Sequence, residues 1–215
     1  MGDAALQTPA DIAEEDVLRA RLYDLLATLL RQPPDAGLLR QVASLNGDST
    51  PLGEAVGALS RLARASTPEK AKREFHDLFI GLGRGELLPF ASYYMTGFLN
   101  EKPLARLRAE MRRLRIERSP GETDPEDGIA TLCEMMAGLI LGRFAAPADL
   151  RTQKDFFAAH MAPWAGHFFA DLEAAESSVL YAPVGTVGVR FMEIEREAFR
   201  LAEGESAPAP AAGGR

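Results

Sequence analysis

Four carboxylates lie close together in the middle of the chain, just before a long apolar segment. They are Glu122, Asp124, Glu126 and Asp127. Grouped carboxylates can act as a general acid and base, or they can pair with the cations of a bound partner. Acidic residues in a first helical turn also complement the helix dipole, which explains the cluster without any ligand. No nucleophile or metal-ligand pattern accompanies them, so a small-molecule enzyme using residues 122–127 is kept as an alternative.

A second feature is an aromatic helix end that runs into a loop rich in glycine and proline. Phe75 and Phe79 are one helical turn apart, and residues 81–91 have the composition of a loop. An apolar aromatic wall beside exposed carboxylates would suit a peptide segment that carries both positive charge and apolar side chains. Two phenylalanines at this spacing are also typical of a buried core, and that interpretation stays open.

Patterns for metals, nucleotides and reactive thiols are weak in this sequence. The three histidines, at positions 76, 160 and 167, do not form the helical pair that places two imidazoles on one metal. Residues 81–85 lack the lysine of a phosphate-binding loop and follow a helix rather than a strand. Cys133 lies in an apolar run beside Glu134, which favours a buried thiol over a catalytic thiolate. We expect no catalytic residue, no metal and no cofactor.

Helices must position these residues, because apolar side chains recur at helical spacing along almost the whole chain. Leu18, Leu22, Leu25 and Leu29 form the predicted core stripe of the first helix, and Leu26 and Leu30 widen it. Two prolines at 33 and 34 end that helix. Further helices are predicted over residues 35–45, 51–64, 67–81, 103–115, 129–140, 150–160, 164–175 and 183–201. Strand alternation is nowhere convincing. The predicted fold is an all-α single globular domain of about nine to ten helices.

Length and composition define the predicted domain organisation. The chain has 215 residues, of which 47% are hydrophobic, and we see no internal repeat and no long linker. We expect one helical domain over residues 11–202 and a flexible N-terminus at residues 1–10. Residues 203–215 are rich in proline, alanine and glycine and are predicted to be disordered.

Charge and hydropathy exclude several classes of partner. The formal net charge of −7 argues against nucleic acid, which needs clustered cations to displace its counterions. No apolar run approaches the roughly 20 residues that span a bilayer, so we expect no membrane span. One cysteine excludes an internal disulfide, and the first residues do not resemble a secretion signal. We therefore expect a cytoplasmic protein.

Two sequence motifs, in a fixed order, connect these features. The first is an aromatic, two residues, Leu-Phe, one residue and Gly, at positions 75–81, followed by Pro89, Ser92 and Tyr94. The second is an acid, Pro, one residue and Asp, at positions 124–127, with Glu-Met-Met downstream at 134–136. Residues 15–202 thereby resemble the TorD-like family of redox-enzyme maturation chaperones, which includes the DmsD and NarJ branches.

This resemblance implies an all-helical cytoplasmic chaperone and not an enzyme. It implies that the chain binds the twin-arginine signal peptide of a molybdenum-containing oxidoreductase subunit and delays export until cofactor insertion and folding are complete. Residues that would line or support the peptide site are Phe75, Phe79, Ser92, Tyr94, Asp124 and Asp127. The residues that would support the loops of the two motifs are Gly81, Pro89, Pro125 and Gly128.

The family resemblance has one departure and leaves some questions open. Gly128 stands where the family usually has histidine, so a hydrogen bond or pH response from that position is missing. Family clients include dimethyl sulfoxide, trimethylamine oxide, nitrate and formate enzymes, and family members are monomers or homodimers. Besides the small-molecule enzyme, a helical scaffold or regulatory module without a peptide groove remains an alternative.

Overall fold

Prolines and small polar residues mark the start of several helices. The computed structural model describes residues 12–118, 121 and 123–206, and that part of the chain forms ten α-helices. The helices are α1 (Glu14–Arg31), α2 (Ala36–Ala43), α3 (Pro51–Ala65), α4 (Pro68–Phe79), α5 (Ala91–Thr96), α6 (Lys102–Leu114), α7 (Ile129–Leu141), α8 (Leu150–His160), α9 (Ala165–Ala174) and α10 (Tyr181–Ser206). The prediction of an all-α fold is confirmed.

Side-chain caps fix where four of these helices begin. The side chains of Asp35 and Asp149 accept hydrogen bonds from backbone N–H groups in the first turns of α2 and α8, over 2.8 and 2.7 Å. Thr50 and Thr67 cap α3 and α4 in the same way, and each is followed directly by a proline. Such a cap satisfies a backbone N–H group that has no partner within the helix. A proline in the first turn costs no hydrogen bond, because the N–H group that it lacks would have no partner there.

Helix α7 lies at the centre of the hydrophobic core, as its apolar sequence predicts. Its buried residues include Leu132, Cys133 and Met136, and it packs extensively against α1. Helix α10 packs against α9 and α3, and α2 packs against α3. Burial raises the pKa of the Cys133 thiol, which agrees with the prediction of an unreactive core cysteine.

The buried face of α1 differs from the predicted leucine stripe. Leu18 is 56% exposed, whereas Tyr23, which the stripe does not include, is fully buried. Tyr23 faces a buried carboxylate on α10, since Glu195 accepts hydrogen bonds from Arg19 Nε over 2.7 Å and from the Tyr23 hydroxyl over 2.9 Å. The prediction that Leu18 faces the core is therefore wrong, and the buried face of α1 includes a polar contact with α10 that leucine spacing does not indicate.

Two further elements depart from the predicted boundaries. Helix α5 was not predicted, and it ends at Gly97, which adopts φ +83°. Helix α10 continues to Ser206, past the predicted domain boundary at 202. Residues 1–11 and 207–215 lie outside the described residues, and so does Glu122 of the predicted carboxylate cluster. Within the described chain, no helix is both long and apolar enough to span a membrane.

Candidate functional site

A cleft of about 670 Å³ opens between α1, α7 and the connection from α6 to α7. Apolar side chains from all three elements line it, namely Ala27, Met111, Ile116, Met135 and Phe144. Five carboxylates and three guanidinium groups also line it, namely Asp24, Glu117, Asp124, Glu126, Glu134, Arg31, Arg118 and Arg143. We call this cavity the acidic cleft, because its carboxylates outnumber its cations.

Ion pairs hold most of the charged side chains of the cleft. Arg31 pairs with Glu134 between α1 and α7, and Arg143 Nη1 donates to Asp24 Oδ1 over 2.7 Å. Glu126 Oε2 accepts a hydrogen bond from Arg108 Nε over 3.0 Å and lies 2.8 Å from Arg108 Nη2. Burial alone would raise the pKa of Glu126, but the hydrogen bonds to this carboxylate and the charges of Arg108 and Arg118 together outweigh burial and hold the pKa below its ordinary value. These pairs fix the walls of the cleft.

Two carboxylates of the cleft have no such partner. Asp124 and Glu117 are exposed, and no ion pair joins either side chain to another of the described residues. The backbone carbonyl of Asp124 accepts from Arg118 Nη2 over 2.7 Å, which fixes the main chain at this position. The negative charge of the cleft is thus available mainly at these two positions.

The two sequence motifs meet at a buried junction, formed by residues 89–92 and 125–129. Asp127 Oδ2 accepts hydrogen bonds from the Ser92 backbone N–H over 2.8 Å and from the Ser92 hydroxyl over 2.6 Å. An isolated antiparallel bridge pairs Phe90 with Gly128, and the Ile129 N–H donates to the Pro89 carbonyl over 2.9 Å. These bonds join the two motif loops.

Asp127 is a structural carboxylate in this arrangement. It is only 1% exposed, so the expectation of an exposed carboxylate at this position is wrong. Asp127 also lines a small cavity of about 10 Å³ together with His160. Burial is the main cause that lowers the pKa of His160 below its ordinary value, and Glu110 opposes the shift.

Gly128 fits closely under an aromatic ring of the junction. A Cβ atom at this position would lie 3.3 Å from Phe90 Cε1. That contact is tighter than normal packing, so any side chain here requires Phe90 to move. The absence of the family histidine therefore matches the position of Phe90 in this chain.

The predicted aromatic wall lies on the contact between α4 and α10. Phe75 is 7% exposed, and its ring centroid lies 4.9 Å from that of the half-buried Phe79. Both rings pack against Tyr181, at centroid distances of 6.0 and 5.6 Å. Gly81 follows with φ +59°, a left-handed conformation that glycine adopts without strain.

Tyr94 occupies a third location. Its hydroxyl donates to Asp171 Oδ2 over 2.9 Å, and its ring lies 5.3 Å from that of Trp164. Burial and the bond to Asp171 raise the pKa of Tyr94. Of the six predicted peptide-binding residues, only Asp124 lines the acidic cleft, and Ser92 contacts Asp127 in the junction.

Sequence reasoning missed most residues of the cleft. Arg31 and Asp24 come from α1, and Arg143 follows α7, so their proximity depends on how α1 packs against α7. Glu134 was noted only as part of the Glu-Met-Met run. Spacing in the sequence contains no signal for pairs such as Arg143–Asp24, which are 119 residues apart.

Comparison with known proteins places the chain in a family. A family model described as "Nitrate reductase delta subunit" matches residues 45–170. The chain belongs to this TorD-like family. Proteins named "Chaperone protein TorD" from Vibrio cholerae serotype O1 and Aliivibrio fischeri are 24% and 26% identical to it, over 194 and 198 residues. These matches cover 86% and 82% of this chain, and 84% and 92% of the relatives.

A solved structure supports the same architecture. A redox enzyme maturation protein from Archaeoglobus fulgidus superposes with a TM-score of 0.54 at 21% identity. The match covers 82% of this chain and 94% of that protein. The family is one of chaperones rather than catalytic enzymes, so the predicted chaperone role and the prediction that the chain is not an enzyme are confirmed.

Proposed function

We propose that this TorD-like chaperone binds the twin-arginine signal peptide of a molybdenum-containing oxidoreductase subunit in the acidic cleft. The complex would form in the cytoplasm and would hold the subunit back from export until cofactor insertion and folding are complete. The observation that carries the proposal is a cleft that combines apolar side chains with two carboxylates, Asp124 and Glu117, for which no ion pair is found among the described residues.

The chemistry of the cleft suits two neighbouring arginines. A guanidinium presents a planar fork of donors, which a carboxylate can accept in two parallel hydrogen bonds. Asp124 and Glu117 are free to rotate towards such forks, since neither forms an ion pair within the described chain. Met111 and Met135 add flexible apolar surface for the side chains beside the arginines.

The remaining motif residues act as supports in this proposal. Asp127 and Ser92 fix the backbone that carries Asp124, with Pro89, Pro125 and Gly128 shaping the same junction. Phe75 and Phe79 brace α4 against α10 through Tyr181, and Gly81 ends α4 so that the loop can reach the junction. Tyr94 ties α5 to α9 through Asp171.

Titration calorimetry with a synthetic twin-arginine peptide tests the proposal. The wild-type chain should bind that peptide and should lose binding when both arginines of the peptide are replaced by glutamine. The double variant Asp124→Asn with Glu117→Gln should bind about tenfold more weakly, because each exposed ion pair contributes about 0–1 kcal/mol.

The matched control is Asp155→Asn, which removes an exposed carboxylate from α8 outside the cleft. It should retain wild-type affinity. Equal binding of the arginine and glutamine peptides would contradict the proposal, as would equal losses in the double variant and in Asp155→Asn.

A further inference from the structure

One arginine of the acidic cleft is held less firmly than the other two. Arg31 pairs with a carboxylate of α7, and Arg143, just after α7, pairs with a carboxylate of α1. Arg118 follows α6, and among the described residues it donates one hydrogen bond, from Nη2 to the Asp124 carbonyl over 2.7 Å. Its other contact is an ion pair in which Nη1 lies 3.6 Å from Glu126 Oε1, beyond hydrogen-bond distance. Arg118 is thus the guanidinium that a ligand can displace most easily.

We propose that Arg118 is an internal competitor, which occupies the place of one of the two peptide arginines and is displaced when the peptide binds. This inference rests on the proposed function and adds an autoinhibitory contact to the same site. It commits to one ligand group, a peptide guanidinium, because Arg118 presents that same group to the cleft.

The position of Arg118 among the carboxylates supports this competition. Its guanidinium lies between the main chain at Asp124 and the carboxylate of Glu126, and its chain neighbour Glu117 lines the same cleft. Glu126 has only 10% of its side chain exposed, and Arg108 holds Oε2 through Nε and Nη2, over 3.0 and 2.8 Å. The other oxygen, Oε1, faces Arg118. A peptide guanidinium that hydrogen-bonds to Oε1 from the cleft must therefore take the place of Arg118.

Displacement of Arg118 should cost little. Its side chain is 34% exposed, and water screens an ion pair of this kind. Glu126 keeps its hydrogen bond from Arg108 when Arg118 leaves, so the buried carboxylate does not lose its main partner. The Arg118 side chain has a flexible stem and can turn its charged end into solvent.

The two arginines of a peptide then meet different conditions in the cleft. Asp124 and Glu117 have no ion pair among the described residues, so one arginine can pair there while Arg118 stays in place. The other arginine reaches Glu126 only by replacing Arg118, and the lost Arg118 contacts offset part of its contribution. Removal of Arg118 should therefore favour a peptide with two arginines more than a peptide with one.

Calorimetry with two synthetic peptides tests this inference. The first peptide carries the arginine pair, and in the second one arginine of the pair is replaced by glutamine. We expect Arg118→Gln to bind the first peptide about threefold more tightly than the wild-type chain does, the range of a partly exposed ion pair. The gain for the second peptide should be smaller.

The matched control is Arg112→Gln, which removes the same charge from an exposed position of α6 outside the cleft. It should change neither affinity. Thermal melts followed by circular dichroism confirm that both variants are folded.

Nuclear magnetic resonance of the arginine side chains tests the displacement in the wild-type chain. The Nε–Hε resonance of Arg118 should shift when the first peptide saturates the chain, because the guanidinium leaves its contacts with Asp124 and Glu126. The corresponding resonance of Arg112 should stay in place. An unchanged Arg118 resonance at saturation overturns the inference.

The outcomes also separate this inference from the proposed function. Weaker or unchanged binding of the first peptide by Arg118→Gln overturns the inference, since Arg118 would then support the cleft instead of competing for it. Equal gains for the two peptides overturn it as well, because they indicate only a loss of positive charge. In each of these cases arginine-dependent binding by the wild-type chain leaves the proposed function standing. If the wild-type chain binds neither peptide, both proposals fall together.

Discussion

Asp124 and Asp127 stand three residues apart in one acidic motif, yet they lie in opposite environments. Asp124 is exposed on the acidic cleft and has no ion-pair partner among the described residues. Asp127 is buried in the junction and accepts two hydrogen bonds from Ser92. Two carboxylates in one motif therefore need not share a role. The backbone between Asp124 and Asp127 turns, so that only the Asp127 carboxylate faces inward.

Glu195 repeats the pattern of Asp127 on a larger scale. It is fully buried, and it joins α10 to α1 through Arg19 and Tyr23. Burial alone would lower the pKa of Arg19, but the hydrogen bonds to Glu195 and Asp16 and the charge of Glu195 together outweigh burial and raise the pKa. Buried carboxylates thus hold helices and loops together in this chaperone, and exposed carboxylates are the ones available to a ligand.

The largest expected effect comes from removing Glu195. Glu195→Ala leaves the fully buried Tyr23 hydroxyl without its acceptor and Arg19 with only Asp16 and Gln153 as partners, which should lower the free energy of unfolding by about 3–5 kcal/mol. Urea unfolding followed by circular dichroism measures it. The control is Glu193→Ala on the same helix, whose exposed pair with Arg190 contributes about 0–1 kcal/mol. Similar losses in the two variants would remove the distinction between buried and exposed carboxylates.

A double-mutant cycle at the junction should give the next largest effect. Asp127→Ala leaves two buried Ser92 donors unpaired and should cost about 2–3 kcal/mol of unfolding free energy. Combination with Ser92→Ala should show a coupling energy of about 1 kcal/mol, since the two side chains share a hydrogen bond. Asp124→Ala, the matched change in the cleft, should stay within about 0.5 kcal/mol of wild type. If the losses of unfolding free energy in Ser92→Ala and Asp127→Ala simply add in the double variant, the proposed coupling of these two side chains is contradicted.

Asp124 should show the reverse pattern, with a smaller effect. Asp124→Asn should weaken binding of a twin-arginine peptide about two- to fivefold and leave stability unchanged, because an exposed ion pair contributes less than about 1 kcal/mol. Calorimetry and urea unfolding on the same preparation measure both quantities. A loss of stability without a loss of affinity would assign Asp124 to the fold instead of the ligand.

The pH dependence of stability should give the smallest effect. It reports on His160, which lines the small cavity next to Asp127 of the junction. Burial lowers the His160 pKa below its unfolded value, so the unfolded chain binds the proton more readily. The stability from neutral His160 is therefore complete above about pH 6.5 and is lost as pH falls through that value. His160→Gln should reduce the change in the free energy of unfolding between about pH 7 and pH 5. The same substitution at the exposed His167 should not reduce it. Equal slopes in both variants would contradict this assignment.

Local sequence patterns predict much of the fold. Apolar periodicity predicts α7 and α8 closely, and the Thr67-Pro68 pair marks the start of α4. These signals act within a few turns of one helix, so they survive without tertiary information. Helix α5 escaped prediction because it is only six residues long, too short for a periodic pattern.

Long-range contacts explain what the sequence could not supply. Helical spacing of the leucines predicts Leu18 in the core, whereas the buried face of α1 in fact contains Tyr23 and is joined to Glu195 of α10 through Arg19. The cleft likewise joins residues of α1 and α7 through pairs such as Arg31–Glu134, 103 positions apart. The motif contains Asp124, which lines the cleft, but does not distinguish it from the buried Asp127.

Photocrosslinking tests the central claim most directly. A twin-arginine peptide that carries a benzophenone next to the arginine pair is irradiated with the wild-type chain, and mass spectrometry identifies the attached residues. The account predicts attachment to the wall of the acidic cleft, at Met111, Ile116 or Met135. Attachment confined to the aromatic cluster of Phe79 and Tyr181 would contradict it.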